Sequence, residues 1–229
     1  MMSLIDIVFS DLFVSADPLE PSRYRVAPGT PIQVLPAAAE ADVDSLRASF
    51  ICDERVEFLL KWADLPLRVT RIDHVGGTAW AVSRGASRSS TLEELNIHPM
   101  IAKAMIEIGK MKGGLVATVG SSRQGKTTTS AAMFVAWHSV FGGNGLTVEQ
   151  PPEIPMHGPH GQNGYIYQCE VLPTASEVER EAEIAKHLRR ALRSGIDRIF
   201  MGETRSPSEA AVALDAATTN HLVLANFHA

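Results

Sequence analysis

A chain of 229 residues has room for one large domain or two small ones. Its 45% apolar and 21% charged content is ordinary for a soluble globular protein, and a formal charge of −5 argues against a dedicated nucleic-acid binder, which carries a basic surplus. Two cysteines without a CxxC pair argue against a disulfide framework or a zinc site; an N-terminus bearing Asp6 and Asp11 without a basic flank is unlike a signal peptide, and no apolar run reaches the roughly 18 residues of a membrane span.

In chain order, residues 1–85 alternate short apolar runs with turn signals. Arg23–Val26 and Pro31–Leu35 flank Pro28-Gly29-Thr30 and predict a hairpin. Val56, Leu59 and Leu60 have helical spacing and predict a helix over Glu54–Trp62. Leu65–Ile72 and Thr78–Val82 predict two strands around Asp73–Gly77. The expectation is a small α+β module. Residues 85–91, GASRSST, begin a linker taken to span 86–97, in which Thr91 and Glu94 have the spacing of a capping box for a following helix.

From residue 98 onward strand and helix alternate. Leu115–Val119, Leu146–Glu149, Tyr165–Val171, Ile199–Met201 and His221–Ala225 read as strands. Residues 126–140, Glu177–Ser194 and Pro207–Ala217 read as helices, the last with proline in its first turn. Such alternation predicts an α/β fold, a mostly parallel sheet wrapped by helices.

Between the first of these strands and its helix lies Gly120-Ser121-Ser122-Arg123-Gln124-Gly125-Lys126-Thr127, followed by Thr128. It fits GxxxxGK[ST] at every fixed position. The spacing lets backbone N–H groups wrap a phosphate while the glycines allow close approach. The next helix points its positive end at the anion. Lys126 supplies charge to the β- and γ-phosphates, and Thr127 a hydroxyl to Mg²⁺. Hydrolysis needs carboxylates as well. Glu149 ends a strand and Glu153 follows Gln150-Pro151-Pro152; alone, both could be solvated loop glutamates. Ile199-Phe200-Met201-Gly202-Glu203 reads as a Walker B-type strand whose acid, Glu203, serves the metal, or as a strand with a surface or capping glutamate.

Together these segments resemble the secretion ATPase superfamily of type II secretion and type IV pili, with PilT-like retraction ATPases and DotB-like secretion and conjugation ATPases as the nearest pattern. Thr147–Glu153 resembles the Asp box TIEDPIE, Gln168–Val171 the QREV segment, Asp197–Arg205 the Walker B segment, and Asn220–His228 the His box. Ser10-Asp11-Leu12 resembles the opening of the family's N-terminal module.

The resemblance implies a RecA-like core preceded by a PAS-like module. It implies Glu153 as the catalytic carboxylate, Glu203 on the metal side, and His228 with His221 sensing the γ-phosphate. It also implies Mg²⁺ with ATP as the cofactor, with Arg68 and Arg84 as arginines acting in trans. A homohexamer is implied for the full-length protein, at the cytoplasmic side of an inner-membrane platform and without direct nucleic-acid binding. The chain departs from the pattern at Gln150, at Cys169 and at Gly195-Ile196. The insert Met156–Gly164 is read as a flexible loop rather than a histidine metal tract. The family pattern continues beyond Ala229. The expectation is therefore an incomplete core that leaves strand His221–Ala225 exposed, binds ATP, hydrolyses it slowly and forms no stable ring. The other classes weighed are a small-molecule P-loop kinase and a nucleotide-binding regulatory subunit.

Overall fold

The computed structural model describes residues 3–27, 29–51, 55–121, 124–172 and 176–228, of which His228 is described in backbone only. The chain divides into two compact units, Met1–Ser87 and Arg88–Ala229.

Among the described residues, the first unit is a six-stranded sheet with one α-helix and two short 3-10 turns. Its strands are β1 (Asp11–Ser15), β2 (Arg23–Arg25), β3 (Gln33–Val34), β4 (Glu57–Trp62), β5 (Leu65–His74) and β6 (Gly77–Arg84), in the order β3-β2-β1-β6-β5-β4. Every pair is antiparallel. The β2–β3 hairpin and the β5–β6 pair form where turn residues predict them; Pro28 lies outside the described residues.

The helix lies elsewhere. It is α1, Glu40–Ile51, which buries Val43, Leu46, Arg47 and Phe50 at i, i+3, i+4 and i+7. The segment predicted as helical is strand β4, with Glu54 outside the described residues. Phe58, Leu60 and Trp62 alternate toward the core, so the i, i+3, i+4 spacing of Val56, Leu59 and Leu60 was a period ambiguity in a short apolar run. Phe50 packs against Trp80 and Phe58 at ring-centroid separations of 5.4 and 6.2 Å.

The second unit is a sheet covered on both faces. Its strands are β7 (Gly114–Gly120), β8 (Gly143–Glu149), β9 (Gly158–His160), β10 (Gly164–Glu170), β11 (Arg198–Thr204) and β12 (Leu222–His228), in the order β7-β12-β11-β8-β10-β9. All pairs are parallel except β9–β10. The helices are α2 (Pro99–Ile108), α3 (Lys126–Phe141), α4 (Glu177–Ala191) and α5 (Pro207–Thr218). Phe134 and Trp137 of α3 build one core with Phe200, Leu222 and Leu224; Ile184 and Leu188 of α4 build the other with Ile199 and Val223.

Three expectations change at this level. The Thr91–Glu94 box forms, Glu94 N–H donating to Thr91 Oγ1 at 3.1 Å and Thr91 N–H to Glu94 at 2.9 Å. It caps a single turn that ends at Asn96, whose φ is +55°. The helix α2 begins later, at Pro99, capped by His98. The insert is not an open loop. Gly158–His160 is strand β9, and the rings of His157 and Tyr165 pack edge-on at 5.7 Å. Strand β12 is not exposed either. It lies between β7 and β11, with Val223, Leu224 and Ala225 fully buried, because the α5 crossover inserts it beside the phosphate-loop strand.

Candidate active site

The parallel register brings the carboxyl ends of four neighbouring strands to one edge. Gly120 of β7 pairs with His228 of β12, and Thr118 with Asn226. Thr204 of β11 pairs with Phe227, and Met201 with Val148 just before Glu149. Gly120, His228, Glu203 and Glu149 thus share the edge at which open parallel sheets bind ligands. His228 reaches it through its backbone pairing with Gly120.

The loop between β7 and α3 is shaped for an anion. Gly125 is left-handed, with φ of +80° and ψ of +11°, a conformation costly for a residue with a β carbon. It is also the N-cap of α3, and no side chain caps that helix. The first N–H groups of α3 have no intrahelical acceptor and keep their partial positive charge for a ligand. Lys126 Nζ donates to the carbonyls of Gly120 and Ser121 at 2.6 and 2.8 Å, so its ammonium bridges the loop. Thr127 and Thr128 are half-buried in the first turn of α3; Ser121 and Gln124 are exposed, and Ser122 and Arg123 lie outside the described residues. These donors suit a phosphate chain, and a hydroxyl beside them suits its divalent cation.

Three carboxylates stand at or beside the same edge. Glu149 is 3% exposed. Burial pushes its carboxyl up to about 7; hydrogen bonds from Thr147, Gln168 and the Glu153 backbone pull it down, and the Glu153 charge pushes it further up. Thr147 Oγ1 donates to Glu149 Oε1 at 2.6 Å. A β carbon on Gly202 would lie 2.7 Å from Glu149 Cγ, so the Walker B strand is flush against this carboxyl only because residue 202 is glycine. Glu153 is exposed on the loop that follows. Glu203 pairs with Arg205, whose Nε donates to Glu203 Oε2 at 2.5 Å.

Within the second unit, His221 is not brought to this edge. His221 precedes β12, at the opposite end from His228. Its Nδ1 lies 2.9 Å from Thr219 O, and its carbonyl accepts from Gly114 N–H at the start of β7. The seven residues of β12 separate it from the phosphate loop by about 20 Å at ~3.3 Å per residue. Adjacency in a motif does not survive extension along a strand. Arg68 and Arg84 belong to the first unit and are engaged there. Arg68 pairs with Glu57 at 2.6 Å. Arg84 donates to the carbonyls of Ile5 and Ile7 at 3.1 and 2.6 Å, and its guanidinium stacks on Phe9. Gln150 turns to α4: Arg180 Nε donates to its Oε1 at 2.5 Å, and its amide donates to Leu172 O at 3.1 Å.

The structure adds residues to which sequence assigns no role. Thr118 and Ser130 hydroxyls lie 2.9 Å apart, Ser130 donates to Asn226 Oδ1 at 2.7 Å, and Asn226 Nδ2 donates to Gly202 O at 3.0 Å. With Glu149 against Gly202, and Gln168 donating to Glu149, a polar belt crosses β7, β12, β11, β8 and β10. A buried serine and asparagine inside apolar segments were the available signal.

Residues 46–229 match the family described as "Type II/IV secretion system protein". The uncharacterized protein YggR of Escherichia coli K12 is 30% identical over 82% of this chain and 56% of its own length. The type IV pilus retraction ATPase PilT of Pseudomonas aeruginosa is 31% identical over 62% of this chain and 38% of its own. Among solved structures, the pilus retraction motor PilT with bound ADP superposes with a TM-score of 0.75 at 26% identity, over 98% of this chain and 64% of that one. The Legionella pneumophila ATPase DotB shares the fold, with a TM-score of 0.67 at 19% identity, over 96% of this chain and 62% of that one. The chain therefore spans about half the length of YggR and less than that of PilT. With the family pattern matched over residues 46–229 on a parallel sheet that carries the phosphate loop, the chain belongs to the type II/IV secretion system protein family, within the secretion and pilus ATPase superfamily.

Proposed function

We propose that this chain binds and hydrolyses ATP as part of a motor subunit of a type IV pilus or type II/IV secretion machine. The observation that carries the reading is the glycine-capped start of α3 at the sheet edge where Glu149 ends β8 and Glu203 stands one residue before the end of β11. Backbone N–H groups and Lys126 bind the phosphates, and Glu153 orients the attacking water. His228 acts as the sensor of the γ-phosphate. Mg²⁺ carried with the nucleotide would be held by Thr127 and Glu203, and it neutralises phosphate charge when bound. Glu203 is paired with Arg205 here, so holding Mg²⁺ would require that pair to open.

In this reading Arg68 and Arg84 act only after leaving their present partners, Glu57 and the Ile5–Ile7 carbonyls. The working assembly is a ring of copies, and the membrane is reached through platform proteins. Among the described residues no helix is long and apolar enough to cross a membrane. Nucleotide binding without turnover is the second reading, favoured by the engagement of Glu203 with Arg205.

Titration with a fluorescent ATP analogue and a phosphate-release assay test both. Lys126→Ala is expected to weaken nucleotide binding by about tenfold or more and to abolish release. Glu153→Gln is expected to bind normally and to lose turnover by about a hundredfold. Wild-type affinity in Lys126→Ala removes the phosphate-loop assignment. Equal losses of binding and turnover in Glu153→Gln would make that residue a ligand or a structural element instead.

A further inference from the structure

Gln168 carries no role in the proposed chemistry, yet every polar atom of its side chain is committed to one loop. Its Oε1 accepts the N–H of Met156 at 2.9 Å. Its Nε2 donates to Glu149 Oε1 at 2.9 Å and to the carbonyl of Ile154 at 2.8 Å. The orientation of the amide follows from chemistry: its oxygen meets a donor and its nitrogen meets two acceptors. Glu149 in turn accepts the Thr147 hydroxyl and the backbone N–H of Glu153. The segment from Glu149 to Met156 is therefore tied to Gln168 at both ends and once between, and the exposed Glu153 lies inside the tie. Ile154 and Met156 anchor the same segment in the core at 8% and 1% exposure. Gly202 lies against the far side of Glu149, so close that a β carbon there would meet Glu149 Cγ at 2.7 Å.

We propose that Gln168 is a positioning residue for the hydrolytic carboxylate: through Glu149 and the Ile154 and Met156 backbone it fixes the loop that presents Glu153. The proposal rests on the reading of Glu153 as the water-orienting group. Other side chains of similar size fail in distinct ways. Leucine removes both donors and the acceptor, which leaves the Ile154 carbonyl and the Met156 N–H unpaired. Glutamate removes both donors and places a second carboxylate beside Glu149, where Glu153, the Cys169 thiol and the His157 ring, whose Nδ1 lies 3.4 Å from Gln168 N, are neighbouring titratable groups. A loop displaced by about 1 Å costs up to about a hundredfold in turnover without touching the phosphate contacts.

The test uses the full 229-residue chain and four variants: Gln168→Leu, Gln168→Glu, Glu149→Gln, and the swap Glu149→Gln with Gln168→Glu. Affinity for a fluorescent ATP analogue, phosphate release at saturating ATP and the urea midpoint are measured for each. Gln168→Leu is expected to keep nucleotide affinity within about twofold and to lose turnover by about ten- to a hundredfold. Gln168→Glu is expected to lose at least as much at pH 8, and less as the pH falls and the two carboxyls share a proton. The swap restores an amide–carboxylate pair and is expected to recover turnover relative to Gln168→Glu. Wild-type turnover in Gln168→Leu overturns the proposal and leaves the functional reading standing. Parallel losses of affinity and turnover, with no recovery in the swap, overturn it too, because Gln168 is then a fold residue. A wild-type chain that binds the analogue but releases no phosphate overturns the hydrolysis reading itself, and this proposal with it.

Discussion

Glu149 and His138 are buried groups of the second unit whose proton affinities move in opposite directions. His138 is fully buried on α3; its Nδ1 faces Phe134 O at 2.8 Å, and among the described residues its Nε2 finds no partner. Burial pushes the imidazole down to about 4 from an ordinary 6.5. Between pH 4 and 6.5 the unfolded chain therefore holds a proton that the folded chain lacks, and stability rises with pH. Glu149 is raised to about 7 from 4.5, so between those values the folded state holds a proton that the unfolded chain has released. Its contribution is fully present below pH 4.5 and is lost as pH rises to 7. Each group changes stability by at most ~1.4 kcal/mol per pH unit, and from pH 4.5 to 6.5 the slopes oppose. Glu149→Gln removes one of them. The variant's urea midpoint is expected to rise more steeply from pH 4.5 to 6.5 than that of the parent, both read by Trp137 fluorescence in a Trp62→Phe, Trp80→Phe background. Parallel curves would show that Glu149 holds no extra proton in the folded state.

At the scale of elements, α4 and α5 illustrate which signals are local. Ser176 and Ser206 cap them through the N–H groups of Glu179 and Glu209, and Pro207 opens the second; serine, acid and proline at helix starts are visible in sequence. What joins the two helices is not visible there. Arg180 and Glu209 form a buried ion pair, at 5% and 1% side-chain exposure, and Arg180 also donates to Gln150 and Glu177. Glu209 accepts Arg205 N–H at 2.7 Å, so the pair ties the Asp-box turn to the turn after the Walker B strand. Glu209→Leu leaves Arg180 buried with the exposed Glu177 as its remaining ion-pair partner, and is expected to cost about 3 kcal/mol. Adding Arg180→Met is expected to recover much of that loss. A double-mutant cycle of urea midpoints checks it, and additive losses would mean that the two charges are independent.

For the whole molecule, the two units have separate cores. Trp62 and Trp80 belong to the first, and Trp137 to the second, where its indole donates to Met105 O at 2.8 Å. The three tryptophans of the chain therefore report on the units individually. Trp137→Phe leaves reporters in the first unit alone; Trp62→Phe with Trp80→Phe leaves one in the second. We expect the two variants to give different urea midpoints, as separate cooperative units do. One shared midpoint, equal to that of the wild type by circular dichroism, would show a single cooperative fold instead.

What the sequence determined by itself is contiguous: the phosphate loop from Gly120 to Thr127, the strand before it, the helix after it, and the alternation that makes a parallel sheet. Each is a pattern within a few residues, set by backbone sterics, caps and hydrophobic period. The same locality misled it between Glu54 and Trp62, where a short apolar run satisfies two periods and only packing against Phe50 and Trp80 selects the strand. It also grouped His221 with His228, which an extended strand places at opposite ends. The tertiary structure alone decided that β12 is interior, that Gln150 answers Arg180, and that Gln168 holds the Glu153 loop. Those outcomes depend on which strands become neighbours. Neighbours are set by helix crossovers and the burial of whole faces, so residues as distant as Ser130 and Asn226 meet only after the chain has closed its sheet.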